Sequence, residues 1–216
     1  MTLHLDFYIS MRSPFSYLVT PRLAALERDY DVAITAKPVY AIAARDPNWF
    51  SRINPLWVPY FARDRLRTAE YLGVPFAPPR PDPIVQNLET GELAAEQPYI
   101  HRLTRLTAAA TEQGQGFPFV CEVSAIIFDG STEDWHEGSH LADAAARAGV
   151  DMADLEAAIE ADPGHFDAII EANQTDQEAA GHWGTPLMVF DGEPFFGQDR
   201  FDMLKWRMEQ KGLARR

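Results

Sequence analysis

Residues 3–9, LHLDFYI, place apolar side chains at Leu3, Leu5, Phe7 and Ile9, the alternation of a half-buried strand. From Pro14 the period changes. Phe15, Leu18, Val19, Leu23 and Leu26 recur at helical spacing, with Pro21 as a kink in the middle. DVAITAKPVY then reads as a second strand, and strand–helix–strand within about 40 residues predicts a parallel pair with a right-handed crossover. From about residue 45 to 165 the pattern offers helices and no strand of comparable quality. One helix is expected near Pro59–Leu72, and others in LAAEQPYIHRLTRLTAAATEQG, PFVCEVSAIIFDG and SHLADAAARAGVDMADLEAAIEA, the last broken at Gly149 and capped again by Asp151. The end returns to a mixed pattern. HFDAIIEANQTDQEAAGHW reads as a helix, TPLMVFDG and EPFFGQD as a hairpin about Asp191-Gly192, and RFDMLKWRMEQKG as a closing helix.

Without its middle, this order is βαβ followed by αββα, the thioredoxin-like arrangement. The expected fold is therefore α/β: residues 1–44 and 165–216 form a thioredoxin-like domain, and residues 45–164 an inserted helical domain. The 216 residues suffice for a sizeable core.

Composition narrows the partners. With 32 acidic and 19 basic residues the net charge is -13, a field that repels phosphate backbones and anionic lipid. Nucleic acid and membrane are not expected partners, although a local basic pocket can still take a small anion. No apolar run has the length of a membrane span, and MTLHLDFYIS lacks the pattern of a signal peptide, so a cytoplasmic setting is expected. Cys121 is the only cysteine and packs as a core residue. The histidines show no metal-ligand spacing, and His136 and His140 are expected to straddle a loop.

Three short stretches carry candidate chemistry. Ser13-Pro14-Phe15-Ser16 has the spacing of a C-x-x-C motif with hydroxyls in place of both sulfurs, so dithiol exchange is excluded. Ser13 before Pro14 is a helix N-cap with proline at the first helical position. The same place concentrates free N–H groups and partial positive charge, which suits an anion, including a thiolate brought by a ligand. Gly184-Thr185-Pro186 precedes a strand where thioredoxin-like folds carry a cis-proline facing that helix end. In DGEPFFGQDR, Gln198 and Asp199 stand at a helix start, where Asp199 is expected to cap and both can hold a charged ligand.

DFYISMRSPFSYL and GTPLMVFDGEPFFGQDRFDML together resemble the 2-hydroxychromene-2-carboxylate isomerase family, a branch of the DsbA-like thioredoxin superfamily allied to kappa-class glutathione transferases. The resemblance in element order spans essentially the whole chain. It implies glutathione as cofactor, with Ser13 donating its hydroxyl to the glutathione sulfur. It implies that Thr185, before Pro186, pairs with the cysteinyl backbone, and that Gln198 and Asp199 hold the γ-glutamyl end. Asn54, in INPLW, stands where the family has a glutathione-contacting asparagine, though the wording around it departs from the family's. Arg12 departs from the family's small or apolar residue and is a candidate for the substrate carboxylate, with Trp183 as a second substrate contact. Trp49, Phe50, Trp57, Tyr60 and Phe61 suit a flat apolar ligand. The implied function is reversible thiolate addition to an unsaturated aromatic acid, by a homodimer. The alternatives are a transferase that consumes glutathione and a binding module in which Ser13 is only a cap.

Overall fold

The structure is a computed structural model that describes residues 2–46, 48–87, 90 and 92–216, with the side chains of Phe50 and Ser51 also left aside. Strand β1 (Leu3–Ile9) pairs in parallel with β2 (Val32–Pro38), Leu3 opposite Val32 and Ile9 opposite Pro38. Helix α1 (Pro14–Asp29) makes the crossover between them. On the other side of β1 lies β3 (Leu187–Phe190), antiparallel, and β4 (Glu193–Phe196) closes the order β2-β1-β3-β4. Asp191 and Gly192 join the last two strands with φ of 52° and 77°, the paired left-handed conformation that suits a two-residue hairpin. This is a thioredoxin-like sheet, with the helical insertion between β2 and β3.

The register decides where chemistry is possible. Tyr8 sits opposite Leu187, so the residues that leave β1 run beside those that enter β3. The α1 start and the Thr185-Pro186 turn are thereby brought to one end of the sheet.

Helix α1 continues through Pro21. Proline removes the donor that the Tyr17 carbonyl would otherwise accept. The Thr20 hydroxyl donates to that carbonyl at 2.8 Å instead, so the buried turn stays satisfied.

After β2 come the short helices α2 (Ile42–Arg45) and α3 (Trp49–Arg52), then α4 (Trp57–Leu72). Helices α5 (Pro98–Glu112), α6 (Gly116–Phe128), α7 (His140–Arg147), α8 (Met152–Ala161) and α9 (Pro163–Ala179) follow, and α10 (Phe201–Gln210) ends the fold. One apolar core runs from Leu5, Phe7 and Ile9 of β1 through Leu18 and Leu23 of α1 to Phe119 and Val123 of α6 and Leu155 of α8. Phe7 meets Phe117 edge-on at 6.1 Å where sheet and insertion join. Gly149 ends α7 with φ 83°, and Asp151 caps α8 by accepting the Ala153 N–H at 2.7 Å.

Two expectations need correction. The helix anticipated from Leu93 begins at Pro98, because proline fits the first helical position and disfavours helix in the residue before it. Residues 93–97 are held differently: the Gln97 amide donates to the Val85 carbonyl at 2.7 Å and accepts the Val85 N–H at 2.8 Å. Asp199 does not cap the last helix. It lies inside a 3₁₀ turn (Gln198–Arg200), neither that turn nor α10 has a side-chain cap, and Asp199 pairs with Arg200 at 3.3 Å.

Candidate functional site

Ser13 caps α1 by accepting the Ser16 N–H at 3.2 Å, in an extended conformation. Its hydroxyl points to the Thr185 carbonyl at 3.4 Å, well beyond the usual 2.7–2.8 Å of an O–H···O bond. The proton is therefore loosely held and can be redirected to a stronger acceptor. The Thr185-Pro186 bond is cis, as is Arg80-Pro81, which the sequence did not signal. The Phe15 N–H, in the first turn, has no intrahelical acceptor by position. The Thr185 N–H meets no acceptor among the described residues.

The Thr185 turn is pinned from both sides. Gln177, fully buried on α9, donates its amide to the Gly184 carbonyl at 2.8 Å. The Gly184 N–H donates to His182 Nδ1 at 2.9 Å. The imidazole stacks on Phe196, 3.8 Å between centroids, and on Trp183 at 5.6 Å. Burial lowers the His182 pKa, which keeps Nδ1 available as an acceptor. Gly184 is buried and leaves no room for a larger residue: a Cβ there would stand 2.7 Å from the Phe196 ring.

In front of Ser13 lies a pocket of about 290 Å³. Phe15, Phe61 and Trp57 wall one side, with Phe15 edge-on to Phe61 at 5.6 Å and Trp57 stacked on it at 4.6 Å. Trp49 and Trp183 wall another, 5.3 Å apart at 64°. Arg12, Tyr60 and Thr185 also line it. The Arg12 guanidinium is held by Asp82 through two contacts of 3.0 and 3.1 Å.

Ser13, Arg12, Thr185 and Trp183 therefore meet at one pocket, with Pro186 buried behind it. Asn54, Gln198 and Asp199 are not among the described residues that line it. Asn54 is exposed and its Oδ1 accepts the Leu56 N–H at 3.0 Å, leading into α4. The Gln198 carbonyl takes the Arg22 guanidinium at 3.5 Å. The Phe50 side chain lies outside the described residues. Ser16 is buried with its Oγ unpartnered among the described residues. His136 lies in the loop before α7 and His140 opens that helix.

Sequence reasoning missed Arg45, Gln177 and Phe196. Arg45 sits on the four-residue helix α2, too short to show a period, and Gln177 faces the Thr185 turn from a helix whose polar positions look alike in one dimension. Cys121 lies on α6, where burial pushes its thiol up to about 12.

A family model described as DSBA-like thioredoxin domain matches residues 4–209. Among solved structures, a 2-hydroxychromene-2-carboxylate isomerase superimposes with a TM-score of 0.70 at 22% identity, covering 96% of this chain and 95% of that one. A probable DsbA oxidoreductase from Streptomyces coelicolor gives 0.64 at 14% identity, over 96% and 89%. The cytosolic disulfide reductase DsbM from Pseudomonas aeruginosa, in a structure with GSH, gives 0.60 at 16% identity, over 97% and 98%. No curated protein matches the chain. No described helix is long and apolar enough to cross a membrane.

Proposed function

The chain belongs to the DsbA-like thioredoxin family, and from that premise we propose that it is a glutathione-dependent isomerase acting on an unsaturated aromatic acid. The observation that carries this reading is the Ser13 hydroxyl, loosely bound at the mouth of an aromatic pocket, where disulfide chemistry in this fold needs a thiol. Cys121 does not replace it, being neither acidic nor among the residues that line the pocket. The thiolate must then arrive with a ligand.

The donors present fit glutathione: a hydroxyl free to turn, a first-turn N–H of α1 and the Thr185 N–H across from them. Bound glutathione would supply a thiolate that adds reversibly to the substrate's double bond and departs unchanged. The Ser13 hydroxyl would donate a hydrogen bond to that sulfur, and the positive end of α1 adds to the same effect. Lowering a thiol from about 8.5 by one to two units requires about 1.4 to 2.8 kcal/mol. Thr185 aligns the ligand backbone, while Gln177 and His182 fix Thr185. The aromatic walls exclude water and hold a planar acid. Asn54, Gln198 and Asp199 are proposed as outer contacts to the same tripeptide.

Under this reading the pocket lies between the thioredoxin-like unit (1–44 and 165–216) and the helical unit (45–164), and the protein works in the reducing cytoplasm. A homodimer belongs to the same proposal, on the strength of the resemblance to the isomerase family.

Calorimetric titration with glutathione, followed by product analysis, tests the proposal. Binding at millimolar concentration, with turnover that needs glutathione and leaves it undepleted, is expected. Stoichiometric consumption would mean a transferase, and absence of binding would overturn both.

A further inference from the structure

The pocket contains more charge than the reaction as described uses. Arg12 is neutralised by Asp82, and Asp64 by Arg67 at 2.6 Å. Arg45 also lines the pocket, and no carboxylate lies within ion-pair distance of it among the described residues. Its Nη2 donates to the Trp183 carbonyl at 2.9 Å, which holds the guanidinium beside the Trp49–Trp183 pair. Its Nε is buried and donates to nothing among the described residues. Glu178, the acidic group that influences it, lines a neighbouring cleft that Arg45 and Trp183 share, and is not among the residues that line this pocket. A partly desolvated guanidinium without a counter-ion is costly to maintain, and an anion offered by a ligand relieves that cost. On a chain of net charge -13 this is a local positive site inside an aromatic enclosure.

From these contacts we infer that Arg45 is the carboxylate-reading residue of the pocket. The ligand class is a planar aromatic monocarboxylate, its ring against Trp49 and Trp183 and its carboxylate on the guanidinium. The inference rests on the proposed reading of the pocket as the place where such an acid meets the thiolate, and it assigns recognition to Arg45 in place of Arg12. A guanidinium already tied to Asp82 gains little from a second carboxylate, whereas Arg45 has donors to offer.

The test is equilibrium binding of 2-naphthoate and its neutral counterpart 2-naphthamide to the whole protein, with glutathione titrated separately. The unaltered protein should bind the acid more tightly than the amide. Arg45→Gln should weaken the acid by roughly tenfold or more and leave the amide unchanged, with Arg45→Lys intermediate. Equal binding of acid and amide by the unaltered protein overturns the inference, whatever the variants do. So does loss of glutathione affinity in Arg45→Gln with 2-naphthoate unaffected, because the carboxylate read would then be glutathione's own. Failure of the unaltered protein to bind glutathione, with Arg45-dependent binding of the acid intact, would instead sink the isomerase reading and leave the carboxylate site standing.

Discussion

The Ser13 hydroxyl faces the Thr185 carbonyl at 3.4 Å, across 172 positions of sequence. Two strands joined antiparallel make that meeting possible, since Tyr8 opposite Leu187 sets the end of one beside the start of the other. Ser13→Ala removes both the cap on Ser16 and the donor at the pocket. Stability should fall by about 1 kcal/mol, the usual cost of a lost N-cap. Glutathione-dependent turnover should fall by about 10²- to 10³-fold, the typical loss for one preorganised donor. Denaturant melts and steady-state rates measure the two separately, and a purely structural serine would show the first effect alone.

Gly184 carries a prediction about space. In Gly184→Ala the new methyl would stand 2.7 Å from Phe196 and 3.0 Å from His182, so the stack or the turn must move. A cost of about 1–3 kcal/mol is expected, typical of overpacking. Because Thr185 is the next residue, glutathione affinity should fall with it. A thermal melt with wild-type midpoint and unchanged affinity would show that the turn has more room than the structure gives it.

Much of this arrangement was legible in one dimension, and the division has a physical reason. The alternation of Leu3 to Ile9 and the 3.6-residue spacing in α1 report burial directly, because the sheet and core impose those periods. Ser13-Pro14 was readable for the same kind of reason, as a cap is a local device. Gln177 and Arg45 were not. Their roles come from what stands opposite them in space, the Gly184 carbonyl for one and the pocket wall for the other, and neither contact leaves a local mark. Asp199 misled because an acidic residue just before a helix resembles a cap, whereas the chain first makes a 3₁₀ turn and the cap position falls on Arg200.

His182 should make stability depend on pH. Burial lowers its pKa from the ordinary 6.5 of an imidazole, so the folded state favours the neutral ring. The stabilisation is complete above pH 6.5 and is lost as the pH falls from there through the depressed folded value. His101 acts in the same direction, lowered by burial and by the neighbouring Arg105. His182→Phe keeps a ring between Phe196 and Trp183 but leaves the Gly184 N–H without an acceptor, a loss of about 1–3 kcal/mol at neutral pH. The midpoint of unfolding should then vary less between pH 7 and pH 5 than in the wild type. His101→Phe should remove a separate part of the slope, and an unchanged slope in both variants would place the acid sensitivity elsewhere.

The thiol inventory permits a gain-of-chemistry prediction. In the wild type Cys121 is partly buried on α6 with its thiol raised to about 12, so the native protein should react slowly with a disulfide reagent and quickly once unfolded. Ser13→Cys places a second sulfur at the amino end of α1, where free N–H groups and the helix field lower a thiol's pKa. That variant should label rapidly in the folded state at neutral pH, and with oxidised glutathione it should accumulate a mixed disulfide carrying one glutathionyl group. Isomerase turnover should drop, because the sulfur that ought to attack substrate is then held covalently. Peptide mass mapping decides between the two cysteines: modification at position 13 supports the site as described. Modification at Cys121, with position 13 unreactive, would mean that the start of α1 does not favour a thiolate, and the role proposed for Ser13 would fall with it.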